Sequence, residues 1–451
     1  MMARFPALAT LLLTAASGAL GQAGGSGGGA AADEGLHSLA VKAGKLYFGT
    51  ATDTNNFRDA TYTGIVKDVR EFGLVVPENS MKWGNIQPRP DEFNFDPPNQ
   101  VANLAKSDQR LLRCHTLVWH SQLPSFVQNG QFTKESLTKV IETHINRVMG
   151  HFKGQCYAWD VVNEAANEDG SFRNSVFFKT LGKDFIPLSF KLAAAADPAA
   201  KLYYNDFNVE FKGKKADTAL SIVKLVKDAG ERIDGVGFQG HFTVGKTPSR
   251  QDLATHLKRF TDLGVEVSYT ELDIRHSKVP ANAAARQQQA TDYTSVVGAC
   301  LDTPKCVGVI AWQFTDKFSW IPGTFPGAGE ACLLDQNYQK TPAYTAVAEL
   351  LRSAAAGGGA ANRGTNRTAD ASALDTLDGG LSPAPISPPV PVKNEGGGDP
   401  SAPAAAPVEA NEKSTAAGKA APVAAGSSML QPTLGGACLA MAMVAAGMLF
   451  L

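Results

Sequence analysis

Eight short runs rich in apolar and β-branched residues recur along this chain, at 46–49, 74–77, 111–119, 157–162, 201–205, 233–239, 265–270 and 307–313. Runs of this kind suit strands buried on both faces. Between them lie apolar residues at helical spacing, as in 134–152, 214–229 and 249–263. Eight strand–helix units over about 310 residues predict an α/β fold, a (β/α)8 TIM barrel with a few long loops. A doubly wound open sheet is the alternative, but no Gly-rich phosphate turn follows an early strand.

Composition confines that barrel to the middle of the chain. The five tryptophans lie between residues 83 and 320, and beyond 352 the only aromatic residue is Phe450. A packed core is therefore expected over 36–352 as one catalytic domain. The formal net charge of −1 shows no electrostatic footprint for nucleic acid.

The two ends read differently. Residues 1–23 carry Arg4, a short apolar region and small residues before Ala23, the pattern of a secretory signal peptide. Residues 24–35 read as a Gly-rich linker and 353–426 as a disordered linker of Ala, Gly, Pro and Ser, with a glycosylation sequon at Asn366. The small residues Gly426, Ser427 and Ser428, a polar spacer and an apolar tail match a GPI-anchor signal over 427–451, removed when lipid is attached. A true tail anchor is the competing reading, but no Lys or Arg follows the apolar run. The expected location is the extracellular face of the plasma membrane or the cell wall, with membrane contact only through the lipid.

Polar residues gather where the runs end. Glu78 and Asn79 follow the second run, His115 to His120 lie in the third, and Asn163 and Glu164 close the fourth. Asn205, Gln239 with His241, Glu271 with Asp273, and Trp312 stand at the ends of the next four. A lone strand-end glutamate more often caps a helix or forms an ion pair. Two of them, at 164 and 271, on a barrel whose active residues collect at the C-terminal ends of strands, point to a pocket with paired carboxylates.

The stretches Glu78-Asn79-Ser80-Met81-Lys82-Trp83, His115-Thr116-Leu117-Val118-Trp119-His120, Trp159-Asp160-Val161-Val162-Asn163-Glu164, Gly237-Phe238-Gln239-Gly240-His241-Phe242 and Thr270-Glu271-Leu272-Asp273 resemble, in order, the motifs of glycoside hydrolase family 10. That family consists mostly of endo-β-1,4-xylanases on a (β/α)8 barrel. The resemblance implies Glu164 as acid/base and Glu271 as nucleophile of a retaining hydrolase, with Asn163 on the sugar's 2-hydroxyl. It implies that His241, backed by Asp273, orients Glu271. Glu78, Asn79, Lys82, His115, Gln122, Asn205 and Gln239 would grip sugar, with Trp119, Trp312 and Trp320 as aromatic platforms. Trp159 is expected in the core. Gln313, where the family usually has a small residue, would tighten the rim beside the eighth strand.

Cys300 and Cys306 match a bridge common in the family, Cys114 and Cys156 lie near the starts of neighbouring strands and are placed to pair, and Cys332 would be left free. No zinc spacing is present, so no metal and no cofactor are expected. The implied partner is xylan, acted on by a monomer. The alternatives are a β-1,4-glucanase or mixed-specificity hydrolase, and a non-catalytic cell-wall carbohydrate-binding protein that has kept the barrel.

Overall fold

The computed structural model describes residues 34–361. Eight parallel strands form a closed ring: β1 (Tyr47–Thr52), β2 (Leu74–Pro77), β3 (Leu111–Cys114), β4 (Ala158–Asn163), β5 (Lys201–Asp206), β6 (Gly235–Phe238), β7 (Glu266–Arg275) and β8 (Cys306–Ala311). Each pairs with its neighbour in sequence, and β8 closes the ring by pairing with both β7 and β1. The expected (β/α)8 TIM barrel is the fold observed.

Strand periodicity explains how the ring is filled. Tyr47 and Ala51 of β1, Leu74 and Val76 of β2 and Ile310 of β8 pack together with Trp312, whereas Phe48, Val75 and Val309 belong to the core shared with the outer helices. Alternate side chains thus point inward and outward. The helices arise where the sequence offers both an apolar stripe and a start signal. Lys134–His151 begins with a capping box made by Thr133 and Ser136, and Arg250–Thr261 begins at Ser249, whose hydroxyl accepts the Asp252 N–H.

Three boundaries differ from the sequence expectation. The run at 111–119 is two strands, β3 and a short Val118–Trp119 that pairs with β4. β7 extends past Thr270 to Arg275, because the short strand His241–Thr243 continues its pairing. The last helix, Pro342–Ala361, passes the boundary drawn at 352, as alanine, the strongest helix former, allows. The signal peptide, the Gly-rich linker over 24–33, and the linker and anchor signal over 362–451 lie outside the described residues.

Both disulfides form, Cys114–Cys156 and Cys300–Cys306, and Cys332 is free and buried. Cys114 is at the end of β3 rather than its start; it reaches Cys156 because it pairs in register with Trp159, just beyond the loop that holds Cys156. By chain entropy the bridge spanning 42 residues stabilises by about 4 kcal/mol and the one spanning 6 by about 2 kcal/mol.

Candidate active site

Asn163 ends β4, and the chain then turns at Glu164 with φ of 54°, a left-handed conformation that a glutamate adopts at a cost of roughly 1 kcal/mol or more. The turn is tied down on both sides. The Glu164 N–H donates to the Asn205 carbonyl at 2.9 Å, and the Glu164 carbonyl accepts Arg173 Nε at 2.9 Å. Its carboxylate accepts Trp119 Nε1 at 2.8 Å and Gln239 Nε2 at 3.0 Å. The side chain is 12% exposed, enclosed but reachable from outside.

Glu271 stands across the pocket on β7. Its Oε1 accepts Asn205 Nδ2 at 2.8 Å, and its Oε2 lies 3.4 Å from His241 Nε2. The other ring nitrogen of His241 meets Asp273 at 3.0 Å, and the second oxygen of Asp273 accepts Trp320 Nε1 at 2.8 Å. Burial favours a neutral His241, but the flanking carboxylates of Asp273 and Glu271 outweigh it and push the imidazole up to about 10. It is therefore an imidazolium, a positive charge 3.4 Å from Glu271.

The two carboxylates belong to one constellation. Asn205 Nδ2 lies 2.9 Å from the Asn163 amide, and Gln239 Nε2 lies 3.4 Å from the same amide while holding Glu164. Three amide side chains, Gln239, Asn163 and Asn205, thus link Glu164 to Glu271. Asn205 reaches Glu271 only because Gly237 faces it. A Cβ on Gly237 would sit 2.1 Å from Asn205 Oδ1 and 2.8 Å from Thr270 Cγ2.

A second arm of polar residues adjoins this pair. Lys82 Nζ donates to Asn79 Oδ1 at 2.9 Å and stands 5.3 Å above the Trp119 ring. Burial lowers its ammonium pKa, although the charges of Glu78, Glu271 and Glu164 oppose that. Glu78 is pushed up to about 7 by burial, with Lys82 pulling the other way. His115 shares Asp160 with Arg113 and meets the edge of Trp312 at 5.4 Å between ring centres.

Two expected residues sit differently. Gln122 is exposed, and it is its carbonyl, not its side chain, that accepts the Gly84 N–H at 2.9 Å. Trp312, 6% exposed, packs mainly into the barrel interior. Gln313 does not crowd the rim. It accepts the Tyr62 hydroxyl at 3.1 Å and donates to Glu78 at 3.3 Å, so its size serves to hold that carboxylate.

Other participants carried no assigned role in the sequence reading. Asp160, fully buried in β4, bonds Arg113 and His115, and a lone acid inside an apolar strand is the signal that could have revealed it. Behind Glu164, the Ala165 N–H donates to the Tyr204 hydroxyl at 3.2 Å, Tyr204 donates to Asp206, and Asp206 pairs with Lys215 at 3.1 Å. His120 stands 3.9 Å from Glu164.

The electrostatics of Glu164 depend on that histidine. Burial pushes its carboxyl up, but the charge of His120 and the hydrogen bonds from Gln239 and Trp119 outweigh burial and leave it below the ordinary glutamate value. Burial lowers His120 itself to about 4. Above that pH His120 is neutral, and the hydrogen bonds from Gln239 and Trp119 with the charge of Arg173 remain to oppose burial. Among the described residues no group of three or more His, Cys, Asp or Glu could hold a metal ion.

Comparison with known proteins identifies the family. The family model described as glycosyl hydrolase family 10 matches residues 35–350. Endo-1,4-beta-xylanase 5 of Pyricularia oryzae is 58% identical over 79% of this chain and 88% of its own length, and endo-1,4-beta-xylanase 1 of Humicola insolens is 55% identical over 70% and 74%. Among solved structures, the Penicillium canescens endo-1,4-beta-xylanase XylE superposes with a TM-score of 0.69 at 41% identity, covering 71% of this chain and 98% of that one. A family 10 xylanase from Bispora sp. MEY-1 with xylobiose gives 0.68 at 38% identity, covering 70% and 99%. The chain belongs to glycosyl hydrolase family 10.

Proposed function

We propose that this chain is an endo-β-1,4-xylanase that cuts internal bonds of xylan with retention of anomeric configuration. The observation that carries the reading is the pair of carboxylates held in different surroundings on one set of amides, Glu271 beside His241 and Glu164 beside Trp119 and Gln239. Glu271 faces an imidazolium, which suits an ionised nucleophile. Glu164 loses one of its charged partners once His120 has lost its proton, so a sugar that strips water from it would leave it able to carry a proton.

In the first step Glu164 protonates the glycosidic oxygen while Glu271 attacks the anomeric carbon, forming a glycosyl ester and releasing the leaving chain. In the second step Glu164, now a carboxylate, takes a proton from water, which attacks the anomeric carbon and frees Glu271. Asn163 would bond the 2-hydroxyl as oxocarbenium character develops. Glu78, Asn79, Lys82 and His115 would bind sugar on the non-reducing side, with Trp119 and Trp320 offering ring surface and Trp312 only its small exposed margin. The names of the similar enzymes support xylan as substrate.

The test has two parts. Proton NMR of early products from a short xylo-oligosaccharide should show the β-anomer first; an α-anomer at early times would rule out retention. Glu164→Gln and Glu271→Gln should each lose at least about 10³-fold in kcat on xylan with an unchanged melting temperature, and full activity in either would remove its assignment. Faster release of reducing sugar from carboxymethyl cellulose than from xylan would instead favour a β-1,4-glucanase.

A further inference from the structure

Glu210 takes no part in the contacts described above, although its carboxylate, in the loop after β5, is only 2% exposed. Its Oε1 accepts the N–H of Gly240 at 2.7 Å. Gly240 has φ of 78°, a conformation that glycine adopts freely, and it joins Gln239 directly to His241. Those two neighbours serve opposite sides of the pocket: the Gln239 amide holds Glu164 and the His241 ring holds Glu271. The Gly240 carbonyl in turn accepts the Asp273 N–H at 3.4 Å, so the same glycine also ties down the backbone of the residue whose carboxylate orients His241.

We propose that Glu210 is a positioning residue for both halves of the reaction: by fixing the Gly240 amide it sets the turn that aligns the partners of proton donor and nucleophile together. The inference rests on the roles given above to Glu164 and Glu271. Burial pushes the Glu210 carboxyl up to about 7, opposed by the Gly240 hydrogen bond and by the charges of His241 and Lys215. A carboxylic acid still offers its carbonyl oxygen to an N–H, so the contact survives protonation. On its far side Glu210 borders a cavity of about 290 Å³, lined also by Phe211, Lys212, Pro248 and His256.

The experiment compares kcat and KM on xylan and on 2,4-dinitrophenyl xylobioside, whose leaving group departs without a proton. Glu210→Gln keeps an acceptor oxygen in place and should stay within about threefold of the parent, whereas Glu210→Ala and Glu210→Asp should lose about 10²-fold in kcat on both substrates with KM little changed. Gln239→Ala, which loosens the Glu164 carboxylate, should lose kcat/KM on xylan and retain most of its kcat/KM on the activated substrate, whose first step needs no acid. If Glu210→Ala does not fold by circular dichroism, Glu210→Asp carries the comparison. Parent-like kcat in the Ala or Asp variant, or Glu210→Gln as impaired as Glu210→Ala, would overturn the proposal. Glu164→Gln active on xylan, or Glu271→Gln active on either substrate, would instead point to failure of the underlying assignment.

Discussion

Glu78 illustrates how a residue's surroundings change what its charge does. In the unfolded chain it titrates near the ordinary glutamate value of 4.5, but in the fold burial raises it to about 7. A raised carboxyl means that the fold prefers the neutral form. Its contribution is fully present below pH 4.5 and is lost as pH rises through about 7. Glutamine does not titrate, so Glu78→Gln should gain stability relative to the parent across that window, by on the order of 3 kcal/mol. Urea melts of both proteins at pH 4.5 and pH 7.5 measure it; a difference that does not change with pH would contradict the buried setting. Glu78 itself was legible in the sequence as a polar residue closing an apolar run. Its clamp was not, because Gln313 is a glutamine whose two ends find Tyr62 and Glu78 only once β2 and β8 are brought to the same rim. The periodicity of a run reveals which way a side chain points, not what it meets there.

At the scale of elements, the site depends on strands carrying small residues where a neighbour needs room. On β6, Gly237 leaves space for Asn205 to reach from β5 to Glu271 on β7. Gly237→Ala should therefore displace the Asn205 amide and lower kcat by about 10²-fold, at a stability cost of about 1–3 kcal/mol from overpacking. Gly44→Ala is a useful control. Gly44 has nothing within 4 Å of a built Cβ, so only its φ of 83° opposes the change and catalysis should not respond. Steady-state kinetics and thermal melts of the two variants separate these effects; equal kcat values would show that Asn205 does not need the gap. The strands were legible because buried parallel strands are continuously apolar. The break in the third run and the extension of the seventh were not, since the short pairings Val118–Trp119 with β4 and His241–Thr243 with β7 form between segments distant in sequence. Glu210 escaped for a related reason: an acid in a loop looks like any other acid until its donor, Gly240, is placed beside it.

For the whole molecule, the barrel and the chain's two ends pose separate questions, one of chemistry and one of location. The barrel over the described residues contains every candidate site side chain, and no helix there is long and apolar enough to cross a membrane. Catalysis should thus belong to residues 34–361 alone, and attachment to the remainder. The small residues before a polar spacer and an apolar tail, with a signal-like segment at the other end, lead us to infer export followed by a GPI anchor. Expression of the full chain in a eukaryotic secretory host should place xylanase activity on membranes, and phosphatidylinositol-specific phospholipase C should release it. Ending the chain at residue 426 should send the activity into the medium with kcat/KM on soluble xylan unchanged. Activity that stays on the membrane after lipase treatment but leaves with the truncation would identify the tail as a peptide anchor. Activity of the truncated chain that stays on the membrane would place the attachment elsewhere, because that chain lacks the tail.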